Sequence, residues 1–259
     1  MAGVHPTALV EEGARMGAGV TVGPFCVVGP EAVLEDGVTL KSHVVVTGDT
    51  VVGAGTTVWP FAVLGEIPQD LKYAGERTRL RIGPMNRIRE HVTMHLGTDG
   101  GGGETRVGAG GLFMAGCHVA HDAQVGDRVV VANCAAIAGH CIVEDDVVIG
   151  GLAGIHQRVR IGRGAMIGAL AMVTHDVIPH GLVQGPRGEL DGLNLVGLKR
   201  RGVPRAEIAA LRLAYDRLRD GKGAFLERAR SLAGAESALV REVSAFILAD
   251  SDRQFLAPR

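Results

Sequence analysis

The chain has 259 residues, a formal net charge of −1, and only 3% aromatic residues beside 39 glycines. This charge balance provides no overall attraction to nucleic acid or to an anionic membrane surface. The sequence shows no secretion signal and no apolar run of bilayer length, so we expect a cytoplasmic protein without membrane insertion.

Aliphatic residues recur at every sixth position through residues 4–64, 82–94 and 107–173. A second slot, four residues after each aliphatic one, is usually small or β-branched. Amphipathic helices and alternating strands have other periods, whereas a repeat of six is typical of stacked hexapeptide coils. We therefore predict a mainly β protein in which residues 1–180 form a parallel β-helix, a prism with three hexads in each triangular coil.

The period breaks at residues 65–81 and again at residues 97–106. Insertions in a repeat form loops on one face, often the binding face. The first insertion carries Gln69, Asp70 and Lys72. The acidic Asp70 and the basic Lys72 favour binding of a polar ligand. The second contains four consecutive glycines at 100–103, which predict a flexible connector or a ligand contact, and the sequence leaves both open.

Histidines are concentrated in the repeat, where none of them occupies an inward slot. His118, His121, His140 and His156 fall in consecutive coils. Because residues eighteen apart stack, His121 lies over Gly139 and His140 over Asp122. A histidine can act as a general base at neutral pH, and an exposed glycine amide can stabilise an oxyanion. Acyl transfer with a histidine as general base is one chemistry that fits this cluster.

Two alternative functions are also compatible with the sequence. Three histidines could hold a zinc ion, as in γ-class carbonic anhydrases, which share the prism. Their paired ligands are five residues apart, whereas His118 and His121 are three apart, so we predict no metal site. The repeat by itself also permits a non-catalytic trimeric scaffold.

The pattern changes after the prism. Residues 181–203 are glycine-rich and read as an irregular connector, and residues 204–259 have helical periodicity with predicted helices from Pro204 and over 224–232 and 237–248. Residues 199–259 hold 13 Lys or Arg against 8 Asp or Glu, a surplus of 5 positive charges. This surplus indicates either solvated helix faces or a docking surface for an acidic partner.

Three segments carry a family resemblance: QDLKYAGE at 69–76, HVAHD at 118–122 and GLNLVGLKRRG at 192–202. With them the chain resembles, over nearly its whole length, the UDP-N-acetylglucosamine O-acyltransferases that begin lipid A synthesis. The resemblance implies a left-handed prism and a homotrimer with clefts between neighbouring protomers. It also implies transfer of a 3-hydroxyacyl chain from the phosphopantetheine arm of acyl carrier protein to the sugar 3-hydroxyl, with no metal or dissociable cofactor.

Residue roles follow from the same resemblance. His121 would be the general base, Asp122 its partner, and the Gly139 amide the oxyanion donor. The implied substrate-binding residues are Gln69, Asp70, Lys72, His118, His140, His156, Gln157, Asn194, Arg200 and Arg201.

One position departs from the family pattern, and another is associated with selectivity for acyl-chain length. Val196 stands where some members carry an acidic residue, so a uracil contact from that carboxylate would be absent. Ala169 stands at the position associated with acyl-chain length, and its small side chain favours a long hydroxyacyl chain.

Overall fold

The computed structural model describes residues 3–259, so the first two residues of the predicted prism lie outside it. Twenty-eight strands, numbered β1–β28 in chain order, form three sheets. The first sheet contains β1 (Gly3–Val4), β4 (Thr21–Val22), β7 (Thr39–Leu40), β10 (Thr57–Val58), β13 (Arg87–Ile88), β16 (Leu112–Phe113), β19 (Val130–Val131), β22 (Val148–Ile149), β25 (Met166–Ile167), β27 (Gly181–Gln184) and β28 (Glu189–Leu193).

The other two sheets complete the triangle. The second contains β2 (Leu9–Val10), β5 (Val27–Val28), β8 (Val45–Val46), β11 (Val63–Glu66), β14 (Thr93–His95), β17 (His118–Val119), β20 (Ala136–Ile137), β23 (Gly154–Ile155) and β26 (Met172–Val173). The third contains β3 (Arg15–Met16), β6 (Val33–Leu34), β9 (Asp49–Val52), β12 (Arg79–Ile82), β15 (Glu104–Val107), β18 (Gln124–Val125), β21 (Ile142–Val143) and β24 (Arg160–Ile161).

Strand pairing follows the repeat. Val130 pairs with Val148, and Val148 with Met166, in parallel register. Where a loop intervenes the spacing lengthens but the stack continues, as in the pairing of Val58 with Ile88. These pairings confirm the predicted parallel β-helix.

The inward slots form one continuous core. Val28, Ile137 and Ala135 are fully buried. Val4 and Met16, in the end strands of the first and third sheets, are 44% and 41% exposed.

The connector differs from the prediction. Residues 181–203 are not irregular: β27 and β28 pair as an antiparallel hairpin, and helix α1 (Leu195–Arg200) follows. β27 pairs with β25 of the prism on one side and with β28 on the other, so β28 lies where a further coil would pair with β27. The loops are shorter than the sequence breaks indicate, because residues 79–81 and 104–106 belong to β12 and β15.

The C-terminal region contains three helices: α2 (Arg205–Asp220), α3 (Phe225–Arg230) and α4 (Ala238–Leu248). Leu211, Tyr215 and Leu218 form the buried face of α2, and the Tyr215 hydroxyl donates to the Leu190 carbonyl over 3.1 Å. None of the helices within residues 3–259 is long and apolar enough to cross a membrane.

Candidate active site

One corner of the prism carries the candidate catalytic groups. Asp122, His140 and Arg158 follow one another at intervals of eighteen residues, and each has a left-handed backbone with φ of 60°, 59° and 66°. The coils are joined by the amide of His140, which donates to the His121 carbonyl at 3.0 Å. Side chains that are far apart in sequence therefore stack along this corner.

His121 and Asp122 form a buried pair. His121 Nδ1 lies 2.8 Å from Asp122 Oδ2, and the two residues are 7% and 3% exposed. With a proton on Nδ1 donated to the carboxylate, the second ring nitrogen is an acceptor for a substrate proton. The adjacent residues thus have the geometry of a base and of a group that orients it.

The glycine-rich loop holds Asp122 in place. The Asp122 carboxylate accepts hydrogen bonds from the Thr98 amide at 2.8 Å and from the Thr98 hydroxyl at 2.6 Å. The Asp122 amide donates to Thr105 Oγ1 at 2.7 Å. A Cβ on Gly101 would overlap the Asp122 carboxyl group. Glycine is needed there because the loop backbone passes directly over the carboxylate. The short 3₁₀ helix Asp99–Gly101 forms part of this loop, and the contacts with Asp122 make the loop more than a connector.

Gly139 faces the imidazole of His121. A Cβ at Gly139 would lie 2.5 Å from His121 Cε1, so a side chain here would displace the ring. Among residues 3–259 the Gly139 amide has no hydrogen-bond acceptor. A free amide beside a general base is the arrangement that an oxyanion requires.

Three more histidines surround the pair. His140 Nδ1 is 3.7 Å from Asp122 Oδ2, and its ring meets that of His121 edge to face at 5.0 Å. Burial is the main cause that lowers the pKa of His140, and Arg158 adds to it.

His118 stays neutral near physiological pH, because burial lowers its pKa to about 4 and the neighbouring His95 and His121 add to that effect. Its Nδ1 is 2.7 Å from the Thr93 hydroxyl, and its ring meets that of His95 at 4.8 Å. His95 is 4% exposed, and its Nδ1 has no partner within the described chain. His118 and His95 thus form a desolvated wall beside His121.

These groups open into a cavity of about 790 Å³. It is lined by Gln69, Asp70, Leu71, Lys72, His95, His118, Ala120, His121, Ala136, Ala138, Gly139, His140, Gly154, Ile155, Gln157 and Arg158. The first loop therefore folds over the same corner as the histidines, and the Asp70 carboxylate shapes it by accepting from the Lys72 amide at 3.0 Å.

Other residues singled out in the sequence lie outside this cavity. His156 contacts Arg253 instead. Asn194 caps α1 by accepting from the Gly197 amide, and it donates to the Gly164 carbonyl. Arg201 contacts His180 Nδ1 at 3.1 Å. Arg200 and Ala169 are exposed and do not line the cavity.

Several contributors were missed in the sequence. Thr98 and Thr105, which hold Asp122, carry no signal beyond their place in and beside the glycine loop. His95 is one of the histidines of the repeat, and no role was predicted for it. Arg158 directly follows Gln157, and only its position at the corner shows that it lines the cavity.

The metal interpretation has one candidate set in the described chain. Ligand atoms of His121, Asp122 and His140 lie within 4.8 Å of one another. Asp122 Oδ2, however, already accepts from the Thr98 hydroxyl and contacts His121 Nδ1. The set also differs from the three histidines considered in the sequence, because a carboxylate replaces one of them.

A hexapeptide prism with a histidine–carboxylate pair beside a free glycine amide defines the class of hexapeptide acyltransferases. Residues 13–48 match the bacterial transferase hexapeptide family (six repeats), and residues 176–256 match the family described as Udp N-acetylglucosamine O-acyltransferase, Domain 2.

Relatives that match most or nearly all of the chain identify the family within this class. The acyl-[acyl-carrier-protein]--UDP-N-acetylglucosamine O-acyltransferase of Paracoccus denitrificans is 68% identical over 202 residues, which are 78% of this chain and 77% of the relative. The protein of that name from Rhizobium johnstonii is 47% identical over 98% of this chain and 94% of its own length. The solved UDP-N-acetylglucosamine acyltransferase from Campylobacter jejuni has a TM-score of 0.93 at 35% identity, covering 99% of this chain and 100% of that one. The chain belongs to the UDP-N-acetylglucosamine O-acyltransferase family, and its prism is a left-handed β-helix.

Proposed function

We propose that this protein transfers a 3-hydroxyacyl chain from acyl carrier protein to the 3-hydroxyl of UDP-N-acetylglucosamine, the first step of lipid A synthesis. The observation that carries the proposal is the His121–Asp122 pair facing the free Gly139 amide inside one cavity. The names of its relatives point to the same donor and acceptor.

The proton transfers can be assigned to named atoms. His121 Nε2 removes the proton from the sugar hydroxyl while its Nδ1–H donates to Asp122. The oxygen attacks the thioester carbonyl, and the resulting oxyanion accepts a hydrogen bond from the Gly139 amide. When the carbon–sulfur bond breaks, the imidazolium gives its proton to the departing thiolate, and the carrier arm leaves as a free thiol. The step is balanced without a metal or a dissociable cofactor.

Substrate recognition uses the polar part of the cavity. Lys72 is exposed and can approach the phosphates, and Gln69, Asp70, His118, His140 and Gln157 provide hydrogen-bonding groups for the sugar and diphosphate. His156 supports the adjoining corner. Asn194, Arg200 and Arg201 lie outside this cavity in the same protomer, so we assign them to the nucleotide or carrier at the cleft of a neighbouring copy.

A homotrimer would complete the site. Leu71 is fully exposed at the tip of its loop although it lines the cavity, and Ala136 on the opposite wall is also exposed. A second prism against this face would cover them and close the pocket around the acyl chain. We expect the carrier to dock through the positive charge of residues 199–259, and we expect the reaction in the cytoplasm.

The test is transfer of a 3-hydroxyacyl group from acyl carrier protein to UDP-N-acetylglucosamine by the wild type and by His121→Ala. Loss of a general base should lower kcat by about 10²–10⁴-fold, and a chelator should leave the wild-type rate unchanged. A rate abolished by chelation would favour the metal interpretation, and a wild type that binds both substrates without transfer would favour the scaffold.

A further inference from the structure

The last residues of the chain run back from the helices to the prism. Helix α4 ends at Leu248. We call residues 249–259 the C-terminal strap, and this strap joins the final coil of the prism. The Asp176 amide donates to the Gln254 carbonyl at 2.8 Å, and the Leu256 amide donates to the Asp176 carbonyl at 2.9 Å. The strap therefore extends a prism strand from a distant part of the sequence.

The strap is anchored beside strand β24, which begins two residues after Arg158. Ile161 pairs with Val177, so Asp176 lies next to Arg160, and Asp176 is fully buried. Its carboxylate accepts from Ser251 Oγ at 2.6 Å and from Arg160 Nε at 2.7 Å. The Arg160 guanidinium lies over the Phe246 ring, 4.6 Å from its centroid. A buried pair with satisfied hydrogen bonds holds the strap in one geometry.

From this anchor the strap contacts three consecutive residues beside the cavity. Arg253 donates to His156 Nδ1 at 2.7 Å and to the Gln157 carbonyl at 3.1 Å. Asp252 accepts from Arg158 at 3.0 Å. Because a guanidinium only donates, His156 must present an unprotonated Nδ1 to it.

The contacted corner forms a rim of the cavity. Gln157 and Arg158 line the 790 Å³ cavity, and Arg158 also lines an adjoining cavity of about 220 Å³ together with Lys72. Arg158 has the left-handed backbone that it shares with other corner residues of the prism, such as Asp122 and His140. The strap contacts this corner from outside the prism through Asp252 and Arg253.

We propose that Arg253 and Asp252 are positioning residues, which hold Gln157 and Arg158 at the rim where, with Lys72, they bind the phosphates of the nucleotide sugar. The proposal rests on the proposed function for the identity of that substrate. Neither strap residue touches the reacting atoms, so they affect binding more than chemistry. In this arrangement the helical domain, through its tail, determines the shape of a site built on the prism.

The test compares steady-state kinetics of Arg253→Gln with those of the wild type and of Gln254→Ala, whose exposed side chain makes no hydrogen bond within residues 3–259. Loss of two charge-assisted bonds should raise KM for UDP-N-acetylglucosamine about tenfold, with kcat changed by less than about threefold. Gln254→Ala should behave as the wild type. Asp252→Asn, which removes one exposed ion pair, should raise the same KM by a smaller factor.

Arg253→Lys separates positioning from general stability. A lysine retains the charge but cannot make both bonds in the fork geometry, so KM should be restored only in part. The thermal midpoint of each variant is measured in parallel. A KM in Arg253→Gln equal to that of the wild type would overturn the proposal, as would a parallel fall of kcat and thermal midpoint with no change in KM. Failure of the wild type to transfer acyl groups would instead refute the proposed function.

Discussion

The Gly139 backbone and the His121 imidazole are in direct contact: a Cβ on Gly139 would lie 2.5 Å from Cε1 and 2.7 Å from Nε2 of the ring. The stacking of coils produces this contact, since Gly139 occupies in its coil the position that His121 occupies in the preceding one. The same repeat thus brings the Gly139 backbone and the His121 imidazole together. A change at one must affect the other.

Gly139→Ala should therefore lower kcat by about 10²–10³-fold, because the methyl group displaces His121 from the free amide. Gly151→Ala is the matched control. Gly151 also precedes a left-handed corner residue, but its Cβ would meet only the Asn133 carbonyl oxygen, at 3.4 Å. Equal activity of the two variants in the transfer assay would contradict the assignment of Gly139.

The glycine loop provides a second pair of variants. Gly101→Ala should displace the Asp122 carboxylate and lower kcat by about 10²-fold, the effect expected of a shift of about 1 Å in catalytic geometry. A Cβ on the neighbouring Gly100 would have open space, so Gly100→Ala should remain within about twofold of the wild type. If both variants lose activity alike, loop flexibility and not support of Asp122 is the relevant property.

His118 should make stability depend on pH. Its pKa in the folded state is about 4, against about 6.5 in an unfolded chain. Between these values the unfolded chain binds more protons, so the free energy of unfolding falls as pH decreases, by about 1–3 kcal/mol over the window.

Denaturant unfolding at several pH values between 4 and 7 measures this slope. It should become shallower in His118→Gln and stay unchanged in His5→Gln, since His5 is exposed. A wild-type slope in His118→Gln would assign the pH dependence to other groups.

The anchor of the strap should be important for stability. Asp176→Ala leaves the Arg160 guanidinium buried without its carboxylate, which costs about 3–5 kcal/mol. The exposed Asp191, changed to alanine, provides the control. Thermal or denaturant unfolding measures the difference, and similar midpoints for the two variants would show that the pair contributes little.

Ala169 should determine the length of the transferred chain. Its side chain is exposed in the single protomer and lies outside the cavity, so any contact with the acyl chain requires the trimeric cleft. Ala169→Met should shift preference to a shorter chain, with about a fourfold loss for each methylene excluded from burial. Competition between 3-hydroxyacyl carriers of different length, read by mass spectrometry, tests this, and unchanged selectivity would refute the role.

The sequence predicts some contacts of the site but not the hairpin that ends the prism. The stacking of His121 over Gly139 and of His140 over Asp122 follows from the eighteen-residue register, and the structure shows both contacts. The hairpin at 181–193 was not anticipated, because its glycines suggest irregular backbone while its pairing depends on the exposed edge of β25.

The sequence by itself determined the prism and the side of the wall on which each residue lies. Coil stacking repeats a single backbone register, so a period of six in the sequence becomes a pattern in space. Only the tertiary structure decided how the site is supported. Thr98 reaches Asp122 across 24 residues, and Arg253 reaches His156 across 97. These contacts arise where a loop and a chain end fold back on the prism, and no local period records where such segments come to lie.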